Sequence, residues 1–204
     1  MSGKKPKLLK KVQGGKVYEG HVFVLENVRL SYLHAAEPYA GKNDDGSEGK
    51  PSYSVVSIAP KKTHKGIIDE MHKAFAEIKA ANKNVRVPTD KLCVRDGDGQ
   101  DKEEYENAWT VSCREKRRPK CRDINAELLE TKEQIEEELY SGCYGDVVIK
   151  LWLQDNAYGK RINANFLSVR KRADGEPFGE GAIDDDDMYD VDETDSNGFE
   201  DDEI

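Results

Sequence analysis

The sequence predicts a mainly β domain with one long inserted helix, preceded by a basic arm and followed by an acidic tail. Apolar and β-branched residues alternate in about five separate stretches, as in strands, whereas one stretch has helical spacing. No Lys or Arg follows Arg172, and residues 173–204 carry 15 of the 41 acidic residues. The remaining chain holds 32 basic against 26 acidic residues, a net charge of +6. We therefore expect a flexible arm at 1–16, a folded domain at 17–172 and a disordered tail at 173–204.

Strand patterns occupy five segments of the predicted domain. They are 17–32, 53–58, 109–113, 147–153 and 160–172. The first strand is followed by a long loop at 33–51, which is dense in Gly, Pro and Asp. The last two strands flank the polar loop 155–159 and predict a hairpin, in which a five-residue loop would place Trp152 opposite Ile162.

Two segments have the spacing of helices. Residues 64–82 place apolar side chains on one face and charged side chains on the other. A shorter helix is predicted up to Tyr140, because Thr131 and Gln134 match a capping box. Five strands with a short helix between the third and fourth are the order of the five-stranded Greek-key barrel called the OB-fold, to which the longer helix is an addition.

Composition and motifs argue against several other classes of protein. No apolar run is long enough to span a bilayer and the first residues lack a secretory signal, so we expect no membrane association and a cytoplasmic location. The scattered cysteines, which have no metal-binding spacing, are expected to be reduced; they are Cys93, Cys113, Cys121 and Cys143. Phosphate-loop, zinc-protease and serine-hydrolase motifs are absent from the sequence, so we expect neither an enzyme nor a cofactor or metal. The pair Asp96 and Asp98 leaves a metal-dependent nuclease as a remote alternative.

The basic residues and aromatic rings of the domain suit a single-stranded nucleic acid, which exposes phosphates and unstacked bases. An OB-fold binds such a strand on its second and third strands and with the loops after strands one and four, here 33–51 and 155–159. The candidate contact residues are Arg114, Lys116, Arg117, Arg118, Lys120, Arg122, Lys150, Trp152, Tyr158, Lys160, Arg161, Phe166, Tyr39 and Tyr53. Large aromatic residues on alternating strands are more often core, so Trp152 and Phe166 also have a structural interpretation. Stacking and phosphate contacts do not distinguish sugars, which leaves an RNA-binding OB protein as the alternative.

The acidic tail has two interpretations. It is either a solubilising terminus or a tethered polyanion that competes with nucleic acid for the basic surface and recruits partner proteins. The second hypothesis assigns the competition to the acidic run and an apolar anchor to two isolated residues. These residues are Asp184, Asp185, Asp186, Asp187, Phe199 and Ile204.

Several ordered segments across about residues 20–180 carry a family resemblance. They are Asn27-Val-Arg-Leu-Ser-Tyr32, Lys50-Pro-Ser-Tyr53, Arg95-Asp-Gly-Asp98, Tyr140-Ser-Gly-Cys-Tyr-Gly145 and Asp174-Gly-Glu-Pro177. Together they resemble tailed-phage single-stranded-DNA-binding proteins with an OB-fold. The resemblance implies non-specific binding of single-stranded DNA in phage replication, recombination or repair, without catalysis, in the host cytoplasm. It also implies an acidic tail that contacts replication proteins, but neither an oligomeric state nor individual DNA contacts.

Overall fold

A computed structural model describes residues 5–42 and 46–179, which form ten strands and two α-helices. The strands are β1 (Leu8–Val12), β2 (Gly15–Tyr18), β3 (Val22–Tyr39), β4 (Ser52–Pro60), β5 (Val94–Asp96), β6 (Ala108–Glu115), β7 (Lys120–Arg122), β8 (Leu128–Leu129), β9 (Tyr144–Asn156) and β10 (Gly159–Ala173). The helices are α1 (Lys61–Ala81) and α2 (Lys132–Glu138), and short 3₁₀ helices span Thr89–Lys91 and Glu103–Tyr105. No helix in this part of the chain combines the length and apolar character needed to cross a membrane.

All ten strands belong to one sheet, whose central member is the long strand β3. The main order is β5-β6-β4-β3-β9-β10-β7-β8, and β1 joins through β2 to β3. The first part of β3 pairs with β2 and β9, and its last part pairs with β4. Bulges let β3 change partners along its length, because each shifts the register and turns the strand. The backbone amide of Cys93, just before β5, donates to the carbonyl of Ile162 in β10 at 2.9 Å, which links two distant parts of the sheet. The predicted mainly β fold with an inserted helix is thus confirmed, although the sheet has ten strands where the sequence predicted about five.

The inserted helix α1 covers the core side of this sheet, as the sequence predicts. One face of the helix is buried along its whole length; the buried side chains are His64, Ile67, Ile68, Met71, Ala74, Phe75 and Ile78. The helix begins directly after Pro60 of β4, and the amide of Lys61 donates to the carbonyl of Asn107 at 2.9 Å. At the other end, the side-chain amide of Asn82 donates to the carbonyl of Ile78 at 2.7 Å. These bonds satisfy helix-end groups that would otherwise lack partners.

The N-terminal segment is more structured than its composition suggested. The flexible arm predicted for residues 1–16 is wrong from Leu8 onward, because β1 and β2 form an antiparallel hairpin there. Gly14, with a φ of 81°, makes the tight turn, and its α-carbon lies so close to His64 that a side chain would not fit. The first strand also runs to Tyr39, so the predicted loop at 33–51 begins only after that residue. Ala35 and Ala36 are buried in this extension, which accounts for its order.

The hairpin of β9 and β10 is confirmed, but its register differs by one residue from the prediction. Trp152 pairs with Asn163 rather than with Ile162, because the turn is the two residues Ala157 and Tyr158 instead of a five-residue loop. A one-residue shift exchanges the faces of a strand. Trp152 and Lys150 therefore lie opposite Asn163 and Asn165 on the outward face of the hairpin. The pairs Leu151–Ala164 and Ile149–Phe166 are buried on the other face.

The loop after α2 fixes the segment that follows β10. The predicted capping box of Thr131 and Gln134 is present at the start of α2. Beyond the helix, the Tyr140 hydroxyl bonds to the carboxylate of Asp174 at 3.0 Å and to the carbonyl of Gly175 at 3.1 Å. Arg29 donates to the carbonyl of Glu176 at 2.8 Å. The described chain therefore continues in contact with the domain beyond the predicted boundary at residue 172, and it ends at 179.

Candidate nucleic-acid interface

A groove of about 520 Å³ lies across the middle of the sheet, where β3, β4, β6, β9 and β10 meet the loop after β3. Four of its lining residues are aromatic or imidazole rings, namely Tyr32, His34, Tyr39 and Trp152. Four carry positive charge, namely Lys42, Lys50, Arg114 and Lys116. Glu115 is the one acidic residue among the described residues that line it. The groove thus combines planar surfaces with an excess of positive charge.

Trp152 stands on the outward face of β9 and is 41% exposed. Its neighbours in the strand, Leu151 and Leu153, point the other way, and Leu151 is buried in the core. The cross-strand partner of Trp152 is Asn163, and Asn165 of the same strand also lines the groove. The register of the hairpin therefore leaves the indole ring free to contact a ligand.

Tyr39 provides a second ring at the end of β3 and is 57% exposed. It stacks on His34, with the ring centroids 4.6 Å apart and the ring planes 11° from parallel. Burial lowers the pKa of His34, so the imidazole is neutral at pH 7. A neutral ring beneath Tyr39 holds it in place without adding charge.

Tyr32 is a third ring at the groove, and its backbone is strained. Its φ is 48°, which is a rare conformation for a bulky side chain, and the ring is 51% exposed. Lys102 lies with its ammonium 4.3 Å from the ring centroid and hydrogen-bonds to the hydroxyl. Strained residues are concentrated at binding sites, where the surrounding structure holds them in place.

The basic side chains of segment 114–122 do not all line the groove. Arg114 and Lys116 line the groove, whereas Arg117 and Lys120 are exposed outside it. Two other side chains of this segment hydrogen-bond to backbone carbonyls within the domain. Arg118 donates to the carbonyl of Ala36 at 3.1 Å, and Arg122 donates to the carbonyl of Ala126 at 2.8 Å.

The remaining predicted contacts divide between the hairpin and the core. Lys150 is exposed on the same face of β9 as Trp152, and Tyr158, Lys160 and Arg161 lie at the tip of the hairpin, outside the groove lining. Phe166 is 0% exposed and packs in the core, so its predicted role in stacking is wrong.

Tyr53, another predicted contact residue, is half-buried and does not line the groove. Its side chain packs against the core, while its neighbours Ser52 and Ser54 line the groove. Adjacent residues of a strand point to opposite faces, which explains the difference.

Several groove residues were not among the contacts predicted from the sequence, among them His34, Lys42, Lys50 and Asn165. Lys42 and Lys50 flank the tip of the loop after the first strand, so the general use of that loop by OB-folds could have identified them. His34 and Asn165 carried no such signal, because their positions depend on the bulge in β3 and on the hairpin register.

The acidic pair considered for metal chemistry instead holds a lysine. The ammonium of Lys61 lies 2.6 Å from a carboxylate oxygen of Asp96 and 2.6 Å from one of Asp98. The hydrogen bond from Lys61 lowers the pKa of Asp98. No group of three or more His, Cys, Asp or Glu side chains that could hold a metal ion occurs among residues 5–42 and 46–179. The pair thus secures the start of α1 and does not support the nuclease alternative.

The four cysteines are buried and unpaired, as expected. Burial raises the pKa of the Cys93 thiol to about 12 and that of Cys121 to about 11, and it also raises those of Cys113 and Cys143. The thiols are therefore protonated at neutral pH and belong to the packing of the domain.

Comparison with known proteins points to one family. Residues 21–199 match the family model described as the ssDNA-binding protein of Enterobacter phage Enc34. The p50 protein of Acyrthosiphon pisum secondary endosymbiont phage 1 is 26% identical over 169 residues, which cover 78% of this chain and 87% of that protein.

Two solved structures extend the comparison. The single-stranded DNA-binding protein from bacteriophage Enc34, in complex with ssDNA, superposes with a TM-score of 0.80 at 40% identity, over 87% of this chain and 100% of that chain. The single-stranded DNA-binding protein gp2.5 encoded by bacteriophage T7 gives a TM-score of 0.52 at 16% identity, over 89% and 98% of the two chains. The second likeness concerns the fold alone.

Proposed function

The chain belongs to the ssDNA-binding protein family of Enterobacter phage Enc34, and on that premise we propose that it coats and protects single-stranded DNA without sequence specificity during phage replication, recombination or repair. Its ligand is single-stranded DNA. It acts by binding, without catalysis or a cofactor, and this role places it in the cytoplasm of the host.

The observation that carries the proposal is the groove in which Trp152 and Tyr39 stand beside four cations. Bases can stack on the exposed rings, and the cations Lys42, Lys50 and Arg114 can neutralise the phosphates between them. The stack of Tyr39 on His34 reduces the cost of ordering the tyrosine when DNA binds.

Binding through rings and cations is expected to be independent of base sequence. Every base has a face that can stack on an aromatic ring, and phosphates are the same at every position. A duplex keeps its bases stacked on each other, so the rings favour the single strand.

The acidic tail regulates this groove in our proposal. Asp184–Asp187, Phe199 and Ile204 lie outside the described residues, so their part rests on charge and tethering. A polyanion joined to a basic domain competes with DNA at high effective concentration, and DNA that displaces it frees the tail for replication or recombination proteins. Phe199 and Ile204 would then supply apolar anchors to such a partner.

Fluorescence anisotropy with a labelled oligo-dT and its duplex form, at several salt concentrations, tests the proposed function. We expect preference for the single strand and a log–log salt slope of about −0.7 for each phosphate contacted. A matched RNA oligonucleotide tests the alternative ligand, because RNA differs by its 2′-hydroxyl groups. A slope near zero, or equal affinity for the duplex, would contradict the proposal.

A further inference from the structure

Two of the edge strands of the sheet, β1 and β8, lie at opposite ends of one continuous series of paired residues. The series is Val12, Gly15, Leu25, Val147, Val169, Cys121 and Leu129, each paired with the next. In the described part of the chain, β1 pairs only with β2 and β8 pairs only with β7. Exposed edge strands offer unpaired backbone groups that can take up another chain.

The β1 edge is basic and partly apolar. Leu8 and Leu9 are 40% and 57% exposed, so two adjacent leucines give this edge an apolar surface. Between residues 5 and 18 there is no acidic residue. The exposed cations of this edge are Lys5, Lys7, Lys10 and Lys11.

The β8 edge has the opposite charge and a similar apolar centre. Ile124 and Leu128 are 56% and 48% exposed. Lys132 is the one cation between residues 123 and 138, and its ammonium lies 2.8 Å from a carboxylate oxygen of Glu37. The exposed acidic residues next to the strand are Glu127, Glu130, Glu133, Glu136 and Glu137.

We propose that the β1 edge of one copy docks on the β8 edge of the next copy when both occupy the same DNA strand. This inference rests on the proposed function. Two β1 edges repel each other, as do two β8 edges, whereas the unlike edges match in charge and in apolar residues. Because the two edges lie at opposite ends of the sheet, each copy uses its β1 edge for one neighbour and its β8 edge for the other. The contact is therefore head-to-tail and can continue along an open row of copies.

Such a contact needs little strength of its own. Two edges with two exposed apolar residues each bury too little surface for a stable dimer in free solution. Neighbours on one strand, however, meet at an effective concentration in the millimolar range, where a weak contact becomes occupied. Strands β9 and β10 carry residues of the groove and also residues of the paired series that joins the two edges. The same hairpin therefore connects DNA in the groove with the contact to a neighbour.

Charge reversal of each edge tests the contact. One variant carries Lys7→Glu with Lys11→Glu, a second carries Glu127→Lys with Glu130→Lys, and a third combines all four changes. A control carries Lys83→Glu with Lys91→Glu, two lysines that follow α1 and, within the described residues, have no hydrogen bond or ion pair to β1 or β8. The readout is the affinity for each site on long poly-dT divided by the affinity for an oligo-dT that holds one copy, measured by anisotropy.

We expect this ratio to be about ten in the unaltered chain and to fall about tenfold, to near one, in each single-edge variant. It should return to within about threefold of the original value in the combined variant, whose edges match again, and stay unchanged in the control. A ratio of one in the unaltered chain, or no change in either single-edge variant, would overturn the inference. If only the lysine changes lower binding and the combined variant is not rescued, the β1 edge contacts DNA instead, which also overturns it.

Failure of the proposed function would look different. In that case the unaltered chain would not bind even the short oligo-dT. Sedimentation of the full chain at high concentration without DNA then tests the edges alone. Weak self-association that is lost in both single-edge variants and restored in the combined variant would support the contact. The absence of self-association in the unaltered chain would contradict the contact.

Discussion

At the scale of single residues, we expect binding of single-stranded DNA to depend most on Trp152, which is exposed in the groove. Replacing Trp152 by Ala should weaken binding of oligo-dT about tenfold to a hundredfold, because stacking one base on an aromatic ring contributes about 1–3 kcal/mol. Tyr158→Ala is the matched comparison: this ring is 88% exposed but lies at the hairpin tip, outside the groove. Anisotropy titrations of the two variants decide between the sites. An effect of Tyr158→Ala as large as that of Trp152→Ala would move the DNA path to the tip.

The pair Trp152 and Phe166 also shows what a sequence can predict about single residues. Both lie in alternating strands, and alternation alone does not tell which face is inside. The face is set by the two-residue turn, in which the amide of Tyr158 donates to the side-chain oxygen of Asn156 at 3.0 Å and Gly159 has a φ of 111°. These features involve only a few atoms of the turn, so the sequence was equally compatible with a five-residue loop. The sequence identified Arg114 and Lys116 as candidate contacts by their charge. It did not show that Arg118 and Arg122 hydrogen-bond to backbone carbonyls of the domain.

At the scale of elements, the loop between α2 and β9, residues 139–143, holds the segment that follows β10 against the domain. Gly142 has a φ of 114°, and a β-carbon there would lie 2.2 Å from the carbonyl oxygen of Glu176. Gly142→Ala should therefore lower the free energy of unfolding by about 2 kcal/mol more than Gly159→Ala. Gly159 is the matched control because its φ is 111° with no atom within 4 Å of a β-carbon. Urea unfolding measures both. Equal losses would mean that the contact with residues 174–179 adds nothing to stability.

Elements with strong periodicity were predicted well, and elements that depend on distant partners were not. Helix α1 was recognised because its buried face repeats regularly, and α2 because its capping box is local. The hairpin of β1 and β2 was missed because its strands contain three lysines and lack a clear apolar alternation. These strands are stabilised by pairing with β3 and by the close approach of Gly15 to the backbone of Val24. Strand β3 likewise continues past its bulge only because β4 pairs with it on the far side.

At the scale of the whole molecule, charge is divided along the chain. The net charge of −9 conceals a basic domain, whose groove is lined by four cations, and a tail in which no basic residue follows Arg172. The sequence predicts this division completely, because it requires only counting. It does not predict where the cations converge, since Lys42, Lys50 and Arg114 come from three separate parts of the chain and meet through the pairing of β3, β4 and β6.

The consequence of that division for the whole chain is a prediction about the tail. Deleting residues 182–204 removes 12 acidic residues and changes the net charge from −9 to +3, so oligo-dT should bind more tightly. The gain should be largest at low salt, where screening is weakest, and should shrink as the Debye length falls to about 10 Å at 0.1 M. A full-length variant in which the same 12 residues are replaced by Asn or Gln separates the effect of charge from that of length. In anisotropy titrations this variant should bind oligo-dT as tightly as the deletion variant does. If the neutral tail leaves the affinity for oligo-dT unchanged while the deletion raises it, the tail obstructs the groove through its size and not its charge. If neither variant changes the affinity, the tail does not compete with DNA.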